Sequence, residues 1–168
     1  VLFRSGCRVP GWALLGREGD GLALGLGTLD RLRPSVGAAA CGMATRALIT
    51  ALRHAATREQ FGASLASMPL VRDTLARMAT DLDAARLLVY RAAHRGDTVP
   101  GRNTTASAMA KSFATEAAQR IVDDAVQICG GVGLLAPQLL GAAAQSLELL
   151  LALPCQTRLI LRRVFGGD

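Results

Sequence analysis

The sequence predicts an all-α fold, an antiparallel four-helix bundle. Three observations carry that expectation. Hydrophobic residues make up 51% of the 168 and aromatics only 4%; alanine and leucine dominate and β-branched residues are sparse, a mix that favours helix over strand. Val71, Leu75, Met78, Leu82, Ala85 and Val89 recur at steps of four, three, four, three and four, close to the heptad spacing of helices packed at shallow angles. Short clusters of glycine, proline and polar residues separate the periodic segments.

The elements follow in order. Residues 1–21 contain "VPGWALLGREGDG", whose glycines at 11, 16, 19 and 21 argue for loop and turn. A first helix then reaches about Arg58, with Leu29, Leu32, Val36, Ala39, Met43 and Ala47 as its apolar stripe. Pro34 should mark its first turn or kink it. "TREQFG", Thr57 to Gly62, ends it with residues unlike their surroundings. The second helix spans Pro69 to Arg95, with Arg72, Asp73, Arg77, Asp81 and Asp83 opposite the heptad seam. "RGDTVPGRN" is the next break, and its Arg95-Gly96-Asp97 reads as a turn rather than an adhesion motif. The third helix covers Thr104 to Cys129, with Met109, Phe113, Ala117 and Ile121 on one face, and "GGVG" ends it as a left-handed C-cap. From Leu134 the text turns leucine-rich between Pro137 and Pro154. Gln138, Gln145 and Glu148 interrupt it, so it reads as a buried helix, since a membrane span needs about twenty mostly apolar residues. No strand is expected after residue 21, and no repeat of about 20–50 residues is present.

Charge and cysteine usage narrow the function classes. The net charge is +6 with a pI near 10.1, yet the arginines are scattered and there is one Trp and one Tyr, so stacking platforms for nucleic acid are absent. Cys7, Cys41, Cys129 and Cys155 include no C-x-x-C pair, and with two histidines a zinc site is not expected. Reduced, buried thiols of a cytoplasmic protein are the reading, with neither membrane nor nucleic acid as partner. "VLFRSG" has no initiating Met and no apolar leader. Its first five residues match what a sequencing adapter encodes in one frame, so a truncated gene fragment is expected.

Four stretches stand in one register: "VPGWALLGREGDGLALGLGTLDRLRPSVGAAACGMATRAL", "TREQFG", "LARMATDLDAARLLVYRAA" and "AMAKSFATEAAQRIVDDAVQICGGVG". Together, over about residues 7 to 134, they resemble the C-terminal half of the acyl-CoA dehydrogenase family, flavoenzymes that oxidise acyl-CoA thioesters to the α,β-enoyl form. The resemblance implies that residues 1–21 are a remnant of and linker from a middle β-domain. It makes residues 22–168 the C-terminal helical-bundle domain. It also implies FAD as cofactor, acyl-CoA as substrate, an electron-transfer flavoprotein as electron acceptor, and a homo- or hetero-oligomer, a homotetramer in the usual arrangement.

Site residues carry over position by position. The arginine of the family's R-x-Q-F-G-like motif, which binds the FAD pyrophosphate of a neighbouring subunit, is Arg58 here, and a guanidinium fork suits paired phosphate oxygens. Gln60 and Phe61 would flank the cofactor. Gln127, Gly130 and Gly131 of "QICGGVG" would approach its adenosine part, glycine allowing close backbone approach. Asp30 and Arg33 of "LDRLRP" match a pair that contacts the acyl-CoA, and three residues place them on one helical face. Pro69 stands where many members have a glutamine. No catalytic residue is expected: the α-proton is taken by a glutamate, and its family positions fall on Leu151 or Ala152, or in a minority of members on Leu32. Glu148 would serve only with a slipped alignment. A frameshifted tail and a non-catalytic subunit paired with an active homologue both fit this loss. The alternative function is a helical assembly domain that contributes Arg58 and Gln127 to a partner's site.

Overall fold

The structure, a computed structural model, describes residues 6–135. Cys155, Glu148, Leu151, Ala152 and the leucine-rich segment after Leu135 lie outside the described residues. Residues 6–20 run as exposed bends around one 3-10 turn, Gly11–Ala13. Then follow α1 (Gly21–Thr57), β1 (Glu59–Gln60), β2 (Ala63–Ser64), a 3-10 turn (Leu65–Ser67), α2 (Pro69–Thr98), α3 (Thr104–Cys129) and α4 (Gly131–Leu135).

The all-α class holds, and the three long helices are its frame. Thr45 on α1 meets Arg86 on α2, while Gly37, two turns earlier on α1, lies against Val89; α1 and α2 therefore run antiparallel. Gly37 also lies against Ala110 and Ala114, and Asp30 bonds Thr104, so α1 and α3 run parallel. Arg120 on α3 pairs with Asp81 on α2 at 3.0 Å, completing the antiparallel pair of α2 and α3.

The core is a seam of small residues. Ala40, Ala44, Ala47, Ala51 and Ala55 of α1 are buried, as are Ala110, Ala114, Ala117, Ala118 and Ala125 of α3. Larger side chains come mainly from α2 and the end of α3: Leu75, Met78, Leu82 and Val89, with Ile121 and Val122. The heptad seam of α2 is thus as its spacing predicts, and Pro69 occupies the first helical position, where its missing N–H costs no hydrogen bond. By length and composition α1 could cross a membrane, an 18-residue stretch of it having a mean hydropathy of 1.3, but here it packs against α2 and α3, and Asp30 and Cys41 are among its buried residues.

Five expectations are corrected, in whole or in part. The stripe assigned to α1 meets the core only in part: Ala47 is buried and Met43 packs against the core, but Leu29 and Leu32 are exposed, and the other buried positions are Asp30, Pro34, Gly37, Cys41 and Ala40, Ala44, Ala51 and Ala55. Helix α1 runs on through Pro34, whose absent N–H leaves the Asp30 carbonyl without its usual donor. Strands do follow residue 21, as a two-stranded antiparallel hairpin pairing Glu59 with Ser64 and Gln60 with Ala63. Two-residue strands are too short to show an alternating pattern. The Arg95-Gly96-Asp97 tripeptide is the last turn of α2 rather than a loop, because the helix continues to Thr98, whose hydroxyl donates to the His94 carbonyl at 2.8 Å. Of the thiols, Cys41 and Cys129 are buried and burial pushes both above the ordinary thiol range, whereas Cys7 is exposed.

Two glycines of α1 test the seam. A Cβ at Gly37 would lie 2.9 Å from Val89 Cγ2 and 3.4 Å from the Ala110 carbonyl oxygen, while one at Gly42 would meet open space. Gly37→Leu should therefore destabilise the chain by about 2–3 kcal/mol through overpacking, whereas Gly42→Ala should stabilise it by about 0.5–1 kcal/mol through helix propensity. Urea unfolding read by circular dichroism measures both, and a tolerated Gly37→Leu would contradict the close α1–α3 approach.

Candidate functional site

The residues singled out above divide between the two ends of the bundle. Because α1 and α3 are parallel, their C-terminal ends share one end, which brings together the segments holding Arg58, Gln60 and Phe61 and those holding Gln127, Gly130 and Gly131. Asp30 and Arg33 lie toward the other end; Arg33 and Arg58 are separated by about 37 Å along α1 at 1.5 Å per residue. Within one chain the two groups belong to separate regions.

At the first end, Arg58 caps α1. Its N–H donates to the His54 carbonyl at 2.9 Å and its carbonyl accepts from the Leu65 N–H at 2.9 Å, which ties the hairpin back to the helix. The two-residue loop Phe61–Gly62 has positive φ at both positions, 53° and 77°, the requirement of a type I′ turn. Glycine takes such a conformation freely, whereas an aromatic side chain pays a steric cost. Phe61 is nevertheless there, 96% exposed, and with Arg58 and Gln60 it projects into solvent. The Arg58 guanidinium has no ion-pair partner among the described residues.

The end of α3 lies nearby. Gly130 has φ 58° and ψ −140°, and its N–H donates to the Val126 carbonyl at 2.8 Å. The positive φ is as expected, but ψ places it outside the left-handed helical basin, in a region essentially reserved for glycine. Gly131 does not prolong a cap; it opens α4. Open space surrounds the Cβ positions of both Gly130 and Gly131, and Gln127 is exposed. The exposed polar atoms and bare backbone at this end suit an anionic ligand with an aromatic part.

At the second end, Asp30 is the node of a network. Its side chain is 5% exposed. Oδ1 accepts from Arg33 at 2.8 Å; Oδ2 accepts from Arg102 at 2.9 Å and from the Thr104 hydroxyl. Both oxygens are thus engaged, so Asp30 fixes Arg33 and ties α1 to the loop before α3. The sequence reading missed Arg102 and Thr104, which lie 72 and 74 residues from Asp30. It also missed Asn103, which donates to the Ala92 carbonyl at 2.7 Å, and the contact of Arg86 with the Thr45 hydroxyl at 2.8 Å. Beside the node a groove of about 770 Å³ opens between α1 and the end of α2, lined by Asp30, Arg31, Ser35, Tyr90 and Gly101 among others. Leu32 is 54% exposed and aliphatic, so it cannot accept a proton.

Two substitutions test this geometry. Asp30→Ala removes the acceptor of two arginines, one of them largely exposed, and should cost about 2–3 kcal/mol of stability; a neutral result in urea unfolding would contradict the network. Phe61→Asn suits the left-handed position and removes no buried area, so it should raise stability by about 1 kcal/mol. A loss of stability there would mean that the ring holds the fold.

Comparison with known proteins gives a consistent answer. The family profile "Acyl-CoA dehydrogenase, C-terminal domain" matches residues 19–152. The "Probable acyl-CoA dehydrogenase FadE25" of Mycobacterium tuberculosis is 41% identical over 132 residues, covering 79% of this chain and 34% of the relative. The mitochondrial short-chain specific acyl-CoA dehydrogenase of Rattus norvegicus is 42% identical over 127 residues, covering 76% and 31%. Butyryl-CoA dehydrogenase from Megasphaera elsdenii superposes with a TM-score of 0.80 at 34% identity, covering 84% of this chain and 37% of that one. The chain spans about a third of the length of these relatives. With its fold, register and profile in agreement, the chain belongs to the acyl-CoA dehydrogenase family, of which it carries the C-terminal helical domain.

Proposed function

We propose that this chain is the C-terminal domain of a FAD-dependent acyl-CoA dehydrogenase and that it contributes flavin contacts to a site completed by another subunit. The observation that carries the proposal is the exposed hairpin: a guanidinium free of carboxylate partners among the described residues, an amide and an aromatic ring in a strained left-handed turn, with nothing of their own domain to hold. That donor set fits a dinucleotide whose pyrophosphate and ring system need charge, hydrogen bonds and an apolar face. Arg58 would grip phosphate oxygens, Gln60 and Phe61 would line the flank, and Gln127, Gly130 and Gly131 would meet the adenosine part through an amide and bare backbone. When bound, FAD supplies the acceptor for the hydride lost from the acyl β-carbon. An electron-transfer flavoprotein would then be the electron acceptor.

The acyl-CoA is assigned to the opposite end, and there the geometry sharpens the roles. Arg33 is the contact residue; Asp30, with both oxygens engaged, is a positioning residue that fixes Arg33 in one orientation. The α-proton requires a carboxylate, and Leu32 offers none. Leu151, Ala152 and Glu148 lie outside the described residues. In this reading turnover falls to a base-bearing partner in a hetero-oligomer, most simply a tetramer in the cytoplasm, whereas a homo-oligomer of this chain would bind without turning over. Residues 1–21 fit the end of a β-domain and its link.

A second reading, an assembly domain whose role is oligomerisation, is favoured by a separate observation. Leu22, Leu29, Leu32, Leu87 and Tyr90 are all largely exposed, an apolar load that a chain spanning a third of its relatives' length would place against other domains or subunits. Co-expression with a full-length homologue decides between the two. The mixed complex should retain flavin absorbance, and Arg58→Ala in this chain should weaken FAD retention by about tenfold or more, the scale of a charged hydrogen bond. A mixed complex that forms and holds the same flavin when this chain carries Arg58→Ala would support assembly alone and contradict the flavin role.

A further inference from the structure

Lys111, on α3, is the single lysine of the chain, and it is 6% exposed. It makes no ion pair among the described residues. An ammonium group taken that far from water is tolerated where an anion meets it. The nearby acids do not supply one. Asp30, the one acid of α1, has both oxygens engaged by Arg33, Arg102 and Thr104. The acids of α2 belong to the other side of α3: Arg120, which pairs with Asp81, stands about two and a half turns from Lys111 and so on the opposite face. Glu116 is exposed, accepts from Ser112 Oγ and falls off the Lys111 row. Asp123 and Asp124 lie about three turns further along the helix.

Two further groups on the same side of α3 lack partners. Ser107 is fully buried and its Oγ makes no hydrogen bond; the buried Oε1 of Gln119 has no donor. Ser107, Lys111, Thr115 and Gln119 follow at four-residue steps, so a polar row runs along a face that otherwise holds the buried Ala108, Ala118 and Val122. Orphaned groups of this kind cost free energy unless something beyond the three long helices meets them. The chain after Leu135 carries two acids, Glu148 and the terminal Asp168. No lysine, arginine or histidine stands between Arg120 and Arg158, so Glu148 has no cation in its own segment, whereas Asp168 follows Arg158, Arg162 and Arg163. Gln138, Gln145 and Glu148 are spaced seven and three apart, which on a helix is one face among leucines and alanines. The reach is sufficient. Lys111 lies about 27 Å back along α3 from Cys129 at 1.5 Å per residue. The stretch from Leu135 to Glu148 spans about 20 Å as helix and about 43 Å when extended.

We infer that Glu148 is the ion-pair partner of Lys111 and that the pair seats the leucine-rich segment of this same chain along the polar row of α3. The two residues are complementary in charge, and each is isolated from other ions within apolar surroundings. A segment running back along α3 carries the amides of Gln145 and Gln138 past Gln119, whose Oε1 lacks a donor. A leucine-rich segment offers many near-equivalent registers, and one buried ion pair selects among them. Glu148 engaged in this way is a structural anion inside the bundle and not the base of the reaction. The pair lies apart from Arg58, so it does not depend on the flavin assignment.

A mutant cycle in the full 168-residue chain, read by urea unfolding with circular dichroism, tests the pair. Lys111→Met and Glu148→Gln should each lower the midpoint, because each leaves one buried group unmatched. The double variant should unfold close to the unmodified chain rather than at the sum of the two losses. The exchanged pair, Lys111→Glu/Glu148→Lys, should recover most of what either reversal alone loses, which keeps the test decisive where a single variant fails to fold. Asp168→Asn should leave the midpoint unchanged. Additive losses, a Glu148→Gln midpoint equal to that of the unmodified chain, an exchanged pair no better than its single reversals, or a loss in Asp168→Asn would each overturn the inference. So would coupling that emerges only as protein concentration rises, which would set the glutamate of a second copy against Lys111.

Discussion

The rest of this structure depends on the close approach of α1 to α3. Small side chains permit it: alanines on both helices, and Gly37, which leaves room for Val89 and the Ala110 backbone. A seam of small residues buries little apolar area per position, so its contribution comes from short helix separation and dense contact rather than from large side chains. The parallel orientation of α1 and α3 follows from the same contacts. It brings two chain segments, 69 residues apart from Arg58 to Gln127, to one end of the bundle. Neither segment alone would make a site.

The other end is organised by charge. Asp30 is almost fully buried and is held by Arg33, Arg102 and the Thr104 hydroxyl, so it ties α1 to the loop that launches α3. A buried carboxylate is tolerated where its oxygens are all engaged. The contrast between the ends is informative. At the Asp30 end Asp30, Arg33, Arg102 and Thr104 satisfy one another. At the hairpin end Arg58, Gln60 and Phe61 face outward with nothing of their own domain to bind. Arrangements that serve only the fold rarely leave an aromatic ring in a strained turn.

Much of the fold was legible in the sequence where large apolar residues marked it. Leu75, Met78, Leu82 and Val89 announce the α2 seam, and α3 begins and ends at the residues expected. Helix α1 was misread at its start because its core face consists of alanine, glycine, cysteine, proline and aspartate, whereas its leucines at 29 and 32 are exposed. A hydrophobic pattern follows large side chains and is blind to a seam of small ones. The hairpin escaped because two-residue strands have no period, and the α2 end because Gly96 hides a continuing helix. The Asp30–Arg33 pair was visible as a three-residue spacing, but Arg102 and Thr104 join it only through tertiary structure.

The central claim is that the Phe61 turn meets flavin held by another subunit. Energy transfer tests it most directly. A tryptophan placed by Phe61→Trp, in a chain whose own Trp12 is replaced by phenylalanine, reports on flavin nearby. In complex with a full-length homologue, its emission should be strongly quenched when FAD is added, and the quenching should be relieved when the same chain also carries Arg58→Ala. Emission unchanged by FAD in an assembled, flavin-loaded complex would contradict the account.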